Sequence, residues 1–200
     1  MDGVYTEVCI SYVFMKYPLF IRVLQDVLAD STRKRISQQE VSVYCNNLVK
    51  KIQHSYQPDL VIAIDTGGSI PGELIARTLG VPIVHIIIRR DINIGRMYNL
   101  DPIPLRWIMS AYHHFLFHTT KPTISGNIDV DIFDKKVLVV DDSFHTGATV
   151  DVAVAYLRKA RVSEIKTAAL AHVSKRKPDF SILPVGNYCF PWSKDFDHEV

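Results

Sequence analysis

The sequence has little of several features that would place a protein in a special class. Its three cysteines are widely spaced and make neither a metal-binding pair nor a disulfide framework. It has no run of ~18 uncharged apolar residues, and its apolar N-terminal part lacks the layout of a signal peptide. The net charge of +2 is too small to indicate nucleic-acid binding. We therefore expect a cytoplasmic protein with buried thiols and without a membrane or nucleic-acid partner.

What is present is the pattern of an ordinary globular protein. Hydrophobic residues make up 48% and charged residues 22% of the 200 residues, enough for one domain with a proper core. Helical and strand-like segments alternate, which predicts an α/β fold with a parallel sheet flanked by helices. Helices are predicted at residues 38–56, 73–79 and 150–159, and strands at 60–64, 82–88, 137–140, 166–173 and 186–190. We expect a single domain over residues 1–200, with an N-terminal extension at 1–36 and a long insertion at 91–136.

The most informative segment joins a predicted strand to a predicted helix. Four apolar residues at 137–140 run into Asp141 and Asp142, and a loop of small and hydroxyl residues follows at 143–149. Unpaired N–H groups at a helix N-terminus favour phosphate, while carboxylates can accept from sugar hydroxyls or hold a hydrated divalent cation. The segment therefore offers partners for both ends of a phosphorylated sugar. The alternative interpretation is an ordinary strand-to-helix turn with an acidic cap.

A second loop, at residues 65–72, also follows a predicted strand and contains two adjacent glycines, Gly67 and Gly68. Such a turn can aim backbone N–H groups at an anion. It is not a nucleoside-triphosphate P-loop, because the Gly-Lys-Ser/Thr ending is absent. Ligands of parallel sheets bind outside the carboxyl ends of the strands. We therefore expect both loops to lie at one edge of the sheet and to form one site.

These motifs resemble those of type I phosphoribosyltransferases. The first matches that family's ribose-phosphate motif, in which an apolar strand, two acidic residues and three variable positions precede Thr-Gly-x-Thr. The second resembles its pyrophosphate loop. A third segment, at 188–192, resembles the aromatic-Pro-Trp segment of xanthine-guanine-type purine phosphoribosyltransferases. Together the likeness covers roughly residues 38–195.

The resemblance implies a fold with a small hood and a mobile flap, the flap within 91–136 and part of the hood within 1–36. It implies transfer of the phosphoribosyl group from 5-phosphoribosyl 1-pyrophosphate to a purine-like base in nucleotide salvage, with Mg²⁺ and often as a homodimer or higher homo-oligomer. The implied catalytic residues are Asp141, Asp142 and His145. The implied 5′-phosphate loop consists of Ser143, Phe144, Thr146, Gly147, Ala148 and Thr149, and the implied pyrophosphate residues are Thr66, Gly67, Gly68, Ser69 and Arg89. The implied Mg²⁺ ligands are Asp141 and Asp142, through water, and Asp195.

Several roles have two interpretations. His145 stands where the purine salvage enzymes commonly have an aspartate, so it either moves a proton or contributes only its backbone N–H. Lys175 either recognises a purine 6-oxo group or lies in a solvated turn. Tyr188 or Trp192 is a candidate to stack on the base; the alternative is that Phe190 and Trp192 pack in the core, which is favoured for Trp192. Arg89 is either a phosphate ligand or a surface arginine.

Two other functions are compatible with the sequence. One is a regulatory protein of the same fold that senses phosphoribosyl pyrophosphate or a nucleotide without turnover. The other is a phosphoribosyltransferase with a specialised acceptor, which His145 and the long insertion allow. Neither requires a change in the predicted site.

Overall fold

We analysed a computed structural model of the chain, which describes residues 33–65, 67–89, 120–125, 128, 130–173, 177–193 and 196. The chain divides into two units, one of residues 33–89 and 122–200 and one of residues 1–32 and 90–121. All the elements given below belong to the first unit. The extension predicted at 1–36 and the insertion at 91–136 fall mostly outside the described residues. The prediction of a single domain over the whole chain therefore stays a prediction.

The centre of the first unit is a six-stranded, mostly parallel sheet. Its parallel strands are β2 (Leu60–Asp65), β3 (Ile83–Arg89), β5 (Lys136–Phe144), β6 (Glu164–His172) and β7 (Phe180–Ser181), and β4 (Thr123–Ser125) runs antiparallel beside β3. The strand order is β4-β3-β2-β5-β6-β7. A separate two-stranded parallel sheet joins β1 (Lys34–Arg35) to β8 (Tyr188–Cys189).

Three helices cover this sheet: α1 (Gln38–Gln53), α2 (Ser69–Leu79) and α3 (Ala148–Lys159). The first two pack on one face with Val61 of β2, and α3 packs on the other face with Leu60 and Ile62, because successive strand residues point to opposite faces. Each face is closed by fully buried side chains: Val41, Leu48, Ile75 and Leu138 on the first, and Ala153, Leu157, Val137 and Val139 on the second. None of the helices described is long and apolar enough to cross a membrane.

The predicted α/β fold with its parallel sheet is confirmed, and so is the order of its main elements. Helix α1 begins where the sequence predicts, because Ser37 and Glu40 form a reciprocal capping box: Glu40 N donates to Ser37 Oγ at 3.3 Å and Ser37 N to Glu40 Oε2 at 2.8 Å. Helix α2 ends at Gly80, which has φ 72°.

Two predicted boundaries are wrong by four residues each, the largest differences between the predicted and observed elements. Helix α2 begins at Ser69 rather than at residue 73, since Pro71 and Gly72 are tolerated in a first helical turn, where proline's missing N–H has no partner to lose. Strand β5 continues to Phe144 rather than ending at residue 140, because pairing with β6 continues past the acidic residues. Strands β1, β4 and β7 were not predicted, since two or three residues are too few to show a periodicity.

Candidate active site

The two loops singled out in the sequence meet at the carboxyl edge of the sheet. Strands β2 and β5 are parallel neighbours, so the segments that follow them leave the sheet side by side. A methyl group added at Gly67 would lie only 2.4 Å from Asp142 Oδ2, and one at Gly68 only 2.4 Å from the carbonyl oxygen of Val140. Only residues without a side chain allow this approach. The expectation of a shared edge is confirmed by this contact.

Asp141 and Asp142 are adjacent residues near the C-terminal end of β5, and both are half-buried. Burial raises the pKa of both carboxyls, and the charge of Asp142 raises the pKa of Asp141 further. A hydrogen bond from Trp192 and the nearby charge of His145 act in the opposite direction on the pKa of Asp142. Two crowded carboxylates of this kind are stabilised by hydroxyl donors or by a cation.

Trp192 connects the C-terminal aromatic segment to this acidic pair. Its indole Nε1–H donates to Asp142 Oδ2 at 2.8 Å, and its ring stacks on Phe190 with centroids 5.1 Å apart and planes 3° from parallel. Phe190 is fully buried, whereas Trp192 is half-buried. Trp192 thus packs against the core, as favoured from the sequence, but it also contacts the acidic pair, and this contact was not predicted from the sequence.

The loop between β5 and α3 presents backbone donors. Gly147 is the N-cap of α3 with φ 76°, a left-handed conformation that other residues rarely adopt, and no side chain at the N-cap bonds the first turn. Ala148 N donates to Thr146 Oγ1 at 3.3 Å. His145 and Thr146 are exposed, and Ser143 and Thr149 are half-buried. This N-terminus can bind an anion. The side chain of Phe144, in contrast, is buried in the core against α3.

The glycine turn after β2 is held by a small polar network. Gly68 is the N-cap of α2. The Ser69 hydroxyl donates to Asp65 Oδ1, and His85 Nδ1 lies 3.0 Å from the same oxygen. His85 Nε2 also lies 3.8 Å from Glu73 Oε1. Asp65, at the end of β2, is therefore linked both to Ser69 at the start of α2 and to His85 of β3.

Asp65, Glu73 and His85 were not predicted from the sequence to belong to the site. A usable signal was present, since His85 is the one polar side chain within the otherwise apolar run at 83–88. Alternation along β2 and β3 then places Asp65 and His85 on the same face, because His85 pairs with Ala63 in register. The pattern would have predicted a polar contact beneath the turn.

Other predicted site residues are not brought to this contact. Arg89 is exposed at the end of β3, on the far side of β2 from the acidic pair. The hydroxyl of Tyr188 donates to the carbonyl oxygen of Pro184 at 3.1 Å, within its own segment. Thr66, Lys175 and Asp195 lie outside the described residues. Within the described part of the chain, no group of three or more His, Cys, Asp or Glu side chains is placed to hold a metal ion.

Comparison with known proteins agrees with this geometry. The model of the phosphoribosyl transferase domain family matches residues 34–185, so the chain belongs to that family. The family predicted from the motifs is thereby confirmed. No protein with a curated description matches the chain in sequence.

Solved structures of related proteins share the fold. The purine phosphoribosyltransferase from Pyrococcus horikoshii superposes with a TM-score of 0.62 at 25% identity, over 81% of this chain and 94% of that chain. The Helicobacter pylori xanthine-guanine-hypoxanthine phosphoribosyltransferase superposes with a TM-score of 0.57 at 16% identity, over 83% of this chain and 97% of that chain. A hypothetical protein from Neisseria gonorrhoeae with bound ppGpp superposes with a TM-score of 0.58 at 20% identity, over 84% of this chain and 94% of that chain. The last two likenesses show the fold alone, and the family assigns the chain to the transferases.

Proposed function

We propose that the protein transfers the phosphoribosyl group of 5-phosphoribosyl 1-pyrophosphate to a purine-like base and releases pyrophosphate, a reaction of nucleotide salvage. The observation that carries the proposal is the contact between Gly67 and Asp142. It joins a glycine turn, an acidic pair and a helix N-terminus at one sheet edge, and this combination matches the diphosphate, the sugar hydroxyls and the terminal phosphate of that substrate. The likeness to the Pyrococcus purine enzyme supports the choice of a purine.

Each part of the substrate has a group of matching chemistry. The N-terminus of α3, whose N-cap residue Gly147 has no side chain to bond the first turn, offers the 5′-phosphate N–H donors and the positive end of the helix dipole. Asp141 and Asp142 accept hydrogen bonds from the two ribose hydroxyls. The turn at Gly67 and Gly68, which begins α2, offers its N–H groups to the diphosphate. The sugar is thereby fixed at both ends, which is the positioning that such a displacement requires.

The reaction breaks the bond between the anomeric carbon and the pyrophosphate oxygen and forms a bond from the same carbon to a base nitrogen. Positive charge develops on the sugar ring, next to the two carboxylates, while the leaving group gains negative charge beside the N–H donors. The attacking nitrogen loses its proton. The charge of protonated His145 lowers the pKa of Asp142, so the two side chains interact, and we propose that the neutral form of the exposed His145 ring takes the proton.

The acidic pair also suits Mg²⁺. Mg²⁺ is usually bound by one or two carboxylates and the phosphates of a substrate rather than by an all-protein cage, which agrees with two half-buried carboxylates without a third ligand among the described side chains. Asp141 and Asp142 would hold it, with Asp195 as a further candidate. When bound, the ion neutralises diphosphate charge.

A homo-oligomeric state and a cytoplasmic location also stay proposals from the sequence.

A panel of bases tests the acceptor. The protein, Mg²⁺ and phosphoribosyl pyrophosphate are mixed with hypoxanthine, guanine, xanthine, adenine, uracil or orotate, and pyrophosphate release is measured. We expect release above the no-base control with at least one purine and not with uracil or orotate, because this chain is similar to a structure described as the purine phosphoribosyltransferase from Pyrococcus horikoshii. Release with uracil or orotate alone would contradict the purine assignment. Binding of phosphoribosyl pyrophosphate without release from any base would favour the sensor or a specialised acceptor instead.

Substitution of His145 separates proton transfer from a backbone role. We expect His145→Ala to lower kcat/KM by ~10²–10⁴-fold, the usual contribution of a general acid or base. His54→Ala is the control: it removes an exposed imidazole at the end of α1, outside the site. The proton-transfer role is wrong if His145→Ala retains kcat/KM within about threefold of the wild-type value, well below that range.

A further inference from the structure

We infer that Trp192 is a positioning residue for the ribose site: its indole N–H fixes the carboxylate of Asp142 in the orientation that receives the sugar hydroxyls. This inference rests on the proposed function and adds to it. Base stacking uses the face of an aromatic ring, whereas this role uses the N–H at the ring edge. The two roles make different predictions for a substitution that keeps the face and removes the N–H.

The indole ring is fixed at two points. One face lies on Phe190, with the ring planes 3° from parallel, and Phe190 is 2% exposed within the main core. The Nε1–H at the ring edge donates to Asp142 Oδ2 at 2.8 Å. A donor on a rigid ring that is stacked on the core has little freedom to follow a moving carboxylate. The Asp142 side chain must therefore adopt the position that the ring sets.

The segment that carries Trp192 is itself anchored. Strand β8 pairs with β1, where Ile36 N donates to the carbonyl oxygen of Cys189 at 3.0 Å. Phe190 N then donates to Ser193 Oγ at 3.1 Å, which closes the turn around Trp192. The donor thus belongs to a segment that is paired in a different sheet from β5, the strand that carries the acidic pair.

The carboxylate of Asp142 is confined on its other side as well. A methyl group at Gly67 would lie 2.4–2.6 Å from Oδ2, Cγ and Oδ1, so all three atoms pack against the backbone of the glycine turn. Asp142 is consequently the point where the glycine turn, the acidic strand and the aromatic segment meet. Because small misplacements of a binding group can cost ~10²-fold in rate, a fixed donor at this point matters to the ribose site.

Binding of phosphoribosyl pyrophosphate without any base tests the inference. We expect Trp192→Phe, which keeps an aromatic face on Phe190 but has no N–H, to weaken calorimetric binding with Mg²⁺ by about 10-fold or more, the loss typical of a hydrogen bond to a charged group. A residue that only stacks on a base would leave this base-free binding unchanged. Affinity within about twofold of wild type would therefore overturn the inference, since it lies far below that typical loss.

Ser193→Ala is the matched control, because it disturbs the same turn by removing the acceptor of Phe190 N while the indole N–H stays. We expect it to bind phosphoribosyl pyrophosphate within about threefold of wild type, less than the loss of a charged hydrogen bond. An equal loss in Ser193→Ala and Trp192→Phe would overturn the inference, since it would show that turn integrity and not the N–H matters.

A nuclear magnetic resonance measurement distinguishes failure of this inference from failure of the proposed function. The chain has two tryptophans and therefore two indole N–H signals, and Trp192→Phe identifies one of them by its loss. Asp142→Ala should shift that signal, and addition of phosphoribosyl pyrophosphate to the wild type should shift it as well. If the signal responds to Asp142→Ala but the wild type binds no substrate, the proposed function fails and the hydrogen bond stands. If Asp142→Ala leaves the signal in place, the inference fails.

Discussion

Asp142→Asn is expected to lower kcat/KM for phosphoribosyl pyrophosphate by ~10²–10³-fold, the loss typical of removing one preorganised electrostatic group from an active site. Asparagine still accepts from Trp192 and still fits against Gly67, so the geometry is kept and the charge is lost. Pyrophosphate release at saturating base measures the effect. Activity close to the wild-type value would show that the ribose does not bind at the acidic pair.

Stability provides the control for this variant. Burial raises the pKa of Asp142 above its unfolded value, so the native state loses stability as pH rises through that raised pKa. Without metal, Asp142→Asn should therefore melt above wild type at pH 7. The difference should shrink as pH falls toward ~4, where an ordinary aspartate protonates. A lower melting temperature at pH 7 would mean that the activity loss reflects damage to the fold.

Gly67→Ala is expected to lower kcat/KM by ~10²-fold or more, because a displacement of about 1 Å in an active site can cost that much. The new methyl group would lie 2.4 Å from Asp142 Oδ2, so either the carboxylate or the glycine turn must move. Either movement separates the groups that receive the sugar and the diphosphate. Pyrophosphate release and substrate calorimetry measure the two consequences.

Gly80→Ala is the matched control for Gly67→Ala. Gly80 ends α2, has φ 72° and has no atom within 4 Å of an added methyl group. Alanine there should cost ~1 kcal/mol of stability through the left-handed conformation, and it should leave kcat/KM within about twofold. If Gly67→Ala were as active as Gly80→Ala, the close contact between the two loops would have no role in the reaction.

The sequence was sufficient for the features that depend on neighbouring residues. The run from β5 through Asp141 and Asp142 into α3 could be predicted, because strand, acidic pair and helix start follow one another along the chain. The same is true of the glycine turn before α2. Since parallel strands end at one edge, their meeting point followed as well, and the contact of Gly67 with Asp142 agrees with it.

The contacts that bring distant residues together could not be predicted. Trp192 and Asp142 are 50 residues apart, and nothing local shows that the indole N–H points at a carboxylate. The bracing of Asp65 by His85 depends on the register between β2 and β3, 20 residues apart. Register is set by packing of whole faces rather than by the residues that make the contact. The sequence therefore predicted the two loops of the site but not the side chains that support them.

The most direct test of the account is calorimetric titration of the wild-type protein with phosphoribosyl pyrophosphate in the presence of Mg²⁺ and without base. We predict saturable binding that pyrophosphate weakens by competition and that Asp142→Asn reduces strongly. Both effects follow if the glycine turn and the acidic pair hold one ligand. A folded protein that shows no binding at millimolar substrate would contradict the assignment of this sheet edge as a phosphoribosyl site.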